Sequence, residues 1–123
     1  MRCLLDTHIF IWWLYDDPKL PQRHKELITD GENLIYVSVA SLWEIEIKRA
    51  LGNLTIDPDC LDLIETEGFK TLNIQKDHIK GLRDLPPLHK DPFDRMLIAQ
   101  AMAENLILLT VDKKILQYHC HTL

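Results

Sequence analysis

The sequence has few of the residues that mark secreted or membrane proteins. Its 3 cysteines are an odd number without C-x-x-C spacing, which argues against a disulfide framework or a zinc ribbon and favours reduced thiols. The longest apolar run, Ile9 to Tyr15, has seven residues, whereas a membrane span needs about 20. Asp6 interrupts any signal-like N-terminus. We therefore expect a cytoplasmic protein with no membrane association.

Net positive charge and backbone-breaking residues are also scarce. The formal net charge of −5 argues against broad nonspecific binding of nucleic acid. Only 4 glycines and 6 prolines occur, and no repeat, low-complexity tract or Gly/Ser linker interrupts the chain. A length of 123 residues, 46% of them hydrophobic, suits one compact domain over residues 1–123.

Apolar runs and helical patterns alternate along the chain and predict an α/β fold. Strands are predicted at 2–5, 34–37, 69–72 and 106–110. Helices are predicted at 8–14, 21–29, from 38 or 41 to 51, at 57–67, 76–82 and 91–104, with a short helix and a C-terminal strand at the end. In the third helix, Trp43, Ile47, Ala50 and Leu51 form the predicted buried stripe. Strands separated by helices imply a three-layer α/β/α fold with a mostly parallel sheet of four to five strands.

Four acidic residues from separate stretches are predicted to meet at one edge of this sheet. Asp6 and Asp112 each follow an apolar strand, and Glu44 and Asp94 lie in the predicted first turns of helices. Right-handed crossovers bring strand ends and helix starts to the same edge. Carboxylates gathered there repel one another unless a cation is present, and hard oxygen ligands favour Mg²⁺ or Mn²⁺ over zinc. The pattern therefore predicts a metal site.

Each acid also has a structural explanation. Asp91 as N-cap and Asp94 at the third helical position make a capping-box-like start, worth about 1 kcal/mol. Glu44 can pair with Lys48 at i+4, and Asp112 can cap the helix that follows it. The joint placement of the acids at one edge, however, is not needed for folding.

The same segments resemble a PIN-domain ribonuclease and, more narrowly, a VapC-type toxin of a toxin–antitoxin system. The similarity runs in order from residue 3 to about residue 115, and its blocks are LLDTH at 4–8, SVASLWEI at 38–45, HKDPFDRMLIAQA at 89–101 and TVD at 110–112. The resemblance implies a PIN-like fold, RNA cleavage dependent on Mg²⁺ or Mn²⁺, a homodimer and inhibition by a cognate antitoxin.

The resemblance also implies a set of site residues. The acidic site of the family falls on Asp6, Glu44, Asp94 and Asp112. Thr7 and Thr110 are the polar residues beside it, and Asp91 matches the DPFDR-like block, with its contact to metal left open. 

The chemistry fits a nuclease independently of the family. Phosphodiester hydrolysis needs a nucleophile at neutral pH and neutralisation of developing charge, and one or two divalent ions supply both. Basic residues near the predicted edge are candidates for contacts to the RNA backbone, and they are Arg95, Lys48, Lys90 and Lys113.

Other readings of the sequence remain open. A metal-free ribonuclease needs a converging histidine pair, and none of the 6 histidines is obviously placed for this. A signalling receiver domain needs paired acids after the first strand, where only Asp6 occurs, and a DxD phosphatase fails because residue 8 is His. A catalytically idle metal-binding module acting by protein contacts is a further alternative. Helical spacing favours core or dimer contacts over base stacking for Phe10, Trp12, Trp13 and Tyr15.

Overall fold

The computed structural model describes residues 1–123 and contains a sheet of four parallel strands. The strands are β1 (Arg2–Leu5), β2 (Leu34–Ser38), β3 (Lys70–Leu72) and β4 (Ile107–Leu109). Their order across the sheet is β3-β2-β1-β4, which places β1 and β2 in the interior. Cys3, Leu4 and Leu5 of β1 are fully buried. An apolar strand of this kind is what a parallel sheet covered on both faces requires.

Six helices connect the strands and cover both faces of the sheet. They are α1 (Thr7–Leu14), α2 (Gln22–Thr29), α3 (Val39–Ala50), α4 (Leu63–Thr66), α5 (Lys76–Gly81) and α6 (Pro92–Glu104). Alternate side chains of a strand point to opposite faces. Leu5 of β1 accordingly packs in one core cluster with Phe10 of α1, whereas Leu4 packs in a second cluster with Leu97 of α6. The two clusters confirm the predicted three-layer architecture. None of the helices combines the length and the apolar character that crossing a membrane requires.

The C-terminal segment runs beside β4 as an incomplete fifth strand. The backbone N–H of Leu108 donates to His121 O at 2.8 Å, and Leu123 N donates to Leu108 O at 3.1 Å. Only one parallel bridge, Leu108 to Thr122, results from these bonds. The predicted short helix before this segment is a 3₁₀ turn, Ile115–Gln117. The prediction of four to five strands is confirmed, although the last one is reduced to this bridge.

The segment predicted as a helix over 57–67 is less regular than expected. It forms a 3₁₀ helix, Pro58–Asp62, followed by the single turn of α4. The Asp57 side chain accepts a hydrogen bond from Asp59 N at 2.9 Å. Aspartate favours such local bonds and helix caps over helix interiors, and three aspartates fall in this segment.

The buried face of α3 differs from the predicted stripe. Trp43 and Leu51 are 61% and 70% exposed, whereas Ala40, Ser41, Glu44 and Ile45 are buried. The apolar spacing predicted the wrong face because two of the buried side chains are polar. Of these two, Glu44 lines the candidate site described below, and Ser41 contacts Thr7 beside it.

Candidate metal centre

All four predicted acids lie at the carboxyl edge of the sheet. Asp6 directly follows β1 and caps α1, and Asp112 lies shortly beyond the end of β4. Asp94 is in the first turn of α6, as predicted. Glu44 is in the second turn of α3 rather than the first, because that helix begins at Val39 directly after β2.

The four acids line one cleft with a volume of about 320 Å³. The other residues that line it are His8, Trp12, Lys48, His89, Asp91 and Val111. Asp6, Glu44 and Asp94 are buried, and Asp112 is half-buried. Carboxylates withdrawn from water in this way disfavour their charged forms unless a positive charge or hydrogen bonds compensate.

Asp6 is held by two hydrogen bonds at the centre of this edge. Its Oδ1 accepts from Thr7 N at 2.7 Å, and its Oδ2 accepts from Thr110 Oγ1 at 2.8 Å. Burial raises the pKa of Asp6, the bonds from Thr110 and Thr7 and the nearby His8 act against this rise, and Glu44 adds to it. Thr110 Oγ1 also accepts from Asp112 N at 3.0 Å, so one hydroxyl positions two of the acids.

Glu44 is oriented by Thr7 and Lys48. Thr7 Oγ1 donates to Glu44 Oε1 at 2.8 Å and lies 2.9 Å from Ser41 Oγ. Lys48 Nζ donates to Glu44 Oε2 at 2.5 Å. Burial acts to lower the pKa of Lys48, but its hydrogen bond to Glu44 and the negative charges around it raise that pKa overall. The lysine is therefore held charged against the glutamate.

Asp94 is the acid whose pKa is raised most clearly by burial and by the other carboxylates of the cleft. Burial raises the pKa of Asp94 to about 8, and the charges of Asp6, Asp91, Glu44 and Asp112 all contribute to the rise. With such a pKa, Asp94 carries a proton at pH 7 in the metal-free protein. A bound cation would replace that proton.

His89 also joins this cluster, which the sequence analysis did not predict. Its Nε2 lies 2.8 Å from Asp94 Oδ2 and 3.4 Å from Asp112 Oδ2. Its Nδ1 accepts from Asp91 N at 3.2 Å, so a neutral ring carries its proton on Nε2. Despite these short distances, Nε2 is buried without a well-directed hydrogen bond. The His89 ring is therefore close to both carboxylates, but its Nε2–H does not point at either of them. The available signal was the position of His89 two residues before Asp91 in the same loop.

Asp91 and Arg95 have structural roles that the sequence left open. Asp91 Oδ1 accepts from Phe93 N at 2.8 Å and Asp94 N at 3.1 Å, so it caps α6 while also lining the cleft. The Arg95 guanidinium donates to backbone carbonyls of the preceding loop, including Pro86 O at 3.1 Å. It does not line the cleft. In this structure Arg95 anchors the loop that carries His89 and Asp91, and its contact with RNA stays a prediction.

The sequence model of the PIN domain matches residues 3–119. The chain belongs to the PIN-domain family.

Solved structures agree with this assignment at the level of the fold. One chain of VapBC2 from Rickettsia felis, bound to a DNA fragment from their promoter, matches with a TM-score of 0.73 and 18% identity over 100% of this chain and 98% of that chain. VapBC-1 from nontypeable Haemophilus influenzae matches with a TM-score of 0.68 and 20% identity, over 100% of this chain and 97% of that chain. VapBC-5 from Mycobacterium tuberculosis, a member of the VapBC family of toxin–antitoxin systems, matches with a TM-score of 0.61 and 18% identity, over 99% of this chain and 95% of that chain. No curated protein matches the chain.

The donor set of this PIN domain fits a hard divalent cation. PIN domains usually use divalent metals, and ligand atoms of His89, Asp94 and Asp112 lie within 4.8 Å of one another. Carboxylate oxygens dominate the cleft, as Mg²⁺ and Mn²⁺ prefer. The Asp91 N–H favours the His89 tautomer that donates from Nε2, which makes the carboxylates better ligands than the imidazole.

The strand order separates this protein from the receiver-domain alternative. Receiver domains have the order 2-1-3-4-5, whereas the order here is β3-β2-β1-β4. The capping alternatives are correct as far as they go, because Asp91 caps α6, Glu44 pairs with Lys48 and Asp112 Oδ1 accepts from Lys114 N at 2.8 Å. These caps coexist with a shared cleft.

Proposed function

We propose that this PIN-domain protein is an endoribonuclease dependent on Mg²⁺ or Mn²⁺ and that it is the toxin of a toxin–antitoxin pair. The observation that carries the proposal is the convergence of four acids on one cleft, three of them buried. Burying them without a cation costs free energy, which the raised pKa of Asp94 reflects. Folding alone does not require the free energy spent on burying these acids together, so their convergence supports a cation site.

The proposal gives each site residue a role. The metal ligands are Asp6, Glu44, Asp94 and Asp112, with Asp91 as a further candidate. A bound divalent ion supplies a nucleophile at neutral pH and neutralises developing charge on the phosphate. Thr7 orients the Glu44 carboxylate, and Thr110 orients Asp6 together with the backbone of Asp112.

Cleavage of RNA with and without metal tests this function. Purified protein should cut RNA in Mg²⁺ or Mn²⁺ and lose activity in excess EDTA. Asp94→Asn should abolish cleavage while leaving the circular dichroism spectrum unchanged. Glu32→Gln is the matched control, because Glu32 is exposed and does not line the cleft, and it should cut like wild type. Full activity of wild type in EDTA, or of Asp94→Asn in metal, would show that the mechanism is wrong.

The proposed partner is an antitoxin that closes the acidic cleft. A disordered basic segment can place an Arg or Lys among the carboxylates and exclude both metal and substrate by charge. The VapBC structures that share this fold support the proposal at the level of the fold. Co-expression with the protein of the neighbouring reading frame should rescue growth. Unchanged activity and metal affinity at saturating partner would remove this part of the proposal.

We further propose a cytoplasmic homodimer of single-domain subunits. The three free cysteines are consistent with a reducing compartment. The exposed Trp43 of α3 and Leu51, directly after this helix, provide apolar surface for self-association. Sedimentation equilibrium measures the assembly, and a monomer at micromolar concentration would contradict the dimer.

A further inference from the structure

The cleft that holds the acids offers an RNA chain little positive charge. One lysine and no arginine line it, and that lysine, Lys48, is paired with Glu44 at 2.5 Å. Arg95 is occupied by the carbonyls of its own loop. Phosphate contacts normally dominate the affinity of proteins for nucleic acids. Lys90 and Lys113 lie outside the cleft lining, so a substrate segment inside the cleft must gain affinity from another source.

The aromatic cluster of α1 divides into a core part and a cleft part. Phe10 is fully buried, and Trp13 packs on Phe69 at 6.1 Å between ring centroids while its indole N–H donates to Glu67. Trp12 is half-buried like Trp13 and also packs against the core, but of the two only Trp12 lines the acidic cleft, together with the exposed His8.

His8 and Trp12 form a pair of rings on one face of α1. They are four residues apart, which places them on the same side of a helix, and their ring centroids are 5.8 Å apart with a tilt of 42°. Trp12 lies six residues beyond Asp6, about 9 Å along the helix axis at 1.5 Å per residue. The rings therefore lie on the cleft wall within reach of a nucleotide next to a phosphate at the acids.

We propose that Trp12, supported by His8, is a nucleobase-binding platform that stacks an unpaired base next to the scissile phosphate. This inference rests on the proposed nuclease function and names the contact that would hold the RNA beside the acids, one unpaired base stacked on Trp12. A base within a duplex has both faces covered by its neighbours, so it cannot stack on Trp12 without unpairing. Stacking on an aromatic side chain tolerates any base, because every base has a π-face.

Binding of short RNA to the Asp94→Asn protein tests the platform without cleavage. The probes are a fluorescein-labelled single-stranded hexanucleotide, the same chain with abasic positions, and a blunt duplex, each measured by anisotropy. The variants, made in the Asp94→Asn background, are Trp12→Leu, Trp12→Phe and the matched control Trp13→Phe. Kinetics of the single variants Trp12→Leu and Trp13→Phe, with Asp94 intact, provide a second readout.

Trp12→Leu should weaken binding of the single-stranded probe about 5- to 150-fold, the range expected for one lost stacking contact. Trp12→Phe should retain most of the affinity, and Trp13→Phe should match the parent. The abasic chain should bind the unmodified platform as weakly as the intact chain binds Trp12→Leu. In cleavage, Trp12→Leu should raise KM more than it lowers kcat. The logarithm of affinity should fall with the logarithm of salt concentration with a slope of only about −1 to −2, because few phosphates are neutralised.

Two results would overturn the platform. One is equal affinity of Trp12→Leu and its parent for the single-stranded probe, and the other is duplex or abasic RNA bound as tightly as the intact single strand. If Trp12→Leu does not fold, the Trp12→Phe variant and the abasic probe decide the question. Metal-dependent cleavage that is indifferent to Trp12 would refute the platform and leave the nuclease standing. Base-dependent binding through Trp12 without any cleavage by wild type would refute the nuclease and leave the platform standing.

Discussion

Asp94 is the residue on which the electrostatics of the cleft depend most strongly. It is 9% exposed and has four other acids among the causes of its raised pKa of about 8. Cation binding must therefore displace a proton from Asp94 at neutral pH. Metal affinity and proton affinity at this position are linked.

The affinity for Mn²⁺ should rise with pH up to the pKa of Asp94. A proton competes with the cation below pH 8, so the affinity should increase by up to about tenfold per pH unit from pH 6 to 8 and level off above it. Isothermal titration calorimetry at several pH values measures this slope.

Asp94→Asn is the control for this pH dependence. It should bind Mn²⁺ more weakly and show a much flatter pH profile, because the group that exchanges the proton is gone. The same slope in Asp94→Asn and wild type would assign the proton to another group and contradict this account of Asp94.

At the scale of elements, a buried polar network ties the two helices that carry Glu44 and Asp94. Ser38 Oγ caps α3 and donates to Gln100 Oε1 of α6 at 2.5 Å. Gln100 Nε2 lies 3.4 Å from His78 Nδ1, and His78 Nε2 lies 2.8 Å from Glu104 Oε1. Ser38, Gln100 and His78 are completely buried, so losing one member leaves the others without water to replace it.

Gln100→Leu should lower the free energy of unfolding by about 1–3 kcal/mol, because the Ser38 hydroxyl loses its acceptor in a buried position. Urea denaturation followed by circular dichroism measures the change. Met102→Gln, on an exposed face of the same helix, should change stability by no more than about 0.5 kcal/mol. Equal stability of Gln100→Leu and wild type would show that the network does not contribute to holding α3 against α6.

At the scale of the whole molecule, the sequence predicted the parts of the fold that periodicity and strand ends determine. The apolar run before Asp6 and the cap at Asp91 give β1 and the start of α6 directly. The parallel sheet then brings the acids to one edge, since strand ends and helix starts meet there. This much follows from local pattern and crossover handedness.

The remaining features depend on contacts between distant residues. Glu44 is buried because Thr7, 37 residues earlier in the chain, donates to it, and apolar spacing within α3 does not contain that information. His89 reaches Asp112 only when its loop is folded against Tyr118, whose hydroxyl donates to Pro86 O at 2.8 Å. The loop is anchored by Arg95, which the sequence offered only as a candidate for contacts to the RNA backbone. Tertiary hydrogen bonds of this kind override local patterns.

The most direct test of the shared cation site is the melting temperature of wild type and Asp94→Asn, with and without metal. At pH 8.5 Asp94 is largely ionised in the folded protein, since its pKa is raised to about 8. The folded pKa lies above the unfolded value of about 3.9, so the metal-free protein loses stability as pH rises through this range. In EDTA, Asp94→Asn should melt above wild type by at least about 3 °C, because removing the charge relieves at least about 1 kcal/mol. Wild type should gain more from Mg²⁺ or Mn²⁺ than the variant does, because binding to the folded state adds stability. If Asp94→Asn melts below wild type in EDTA and responds equally to metal, the acids are structural caps and do not form a cation site.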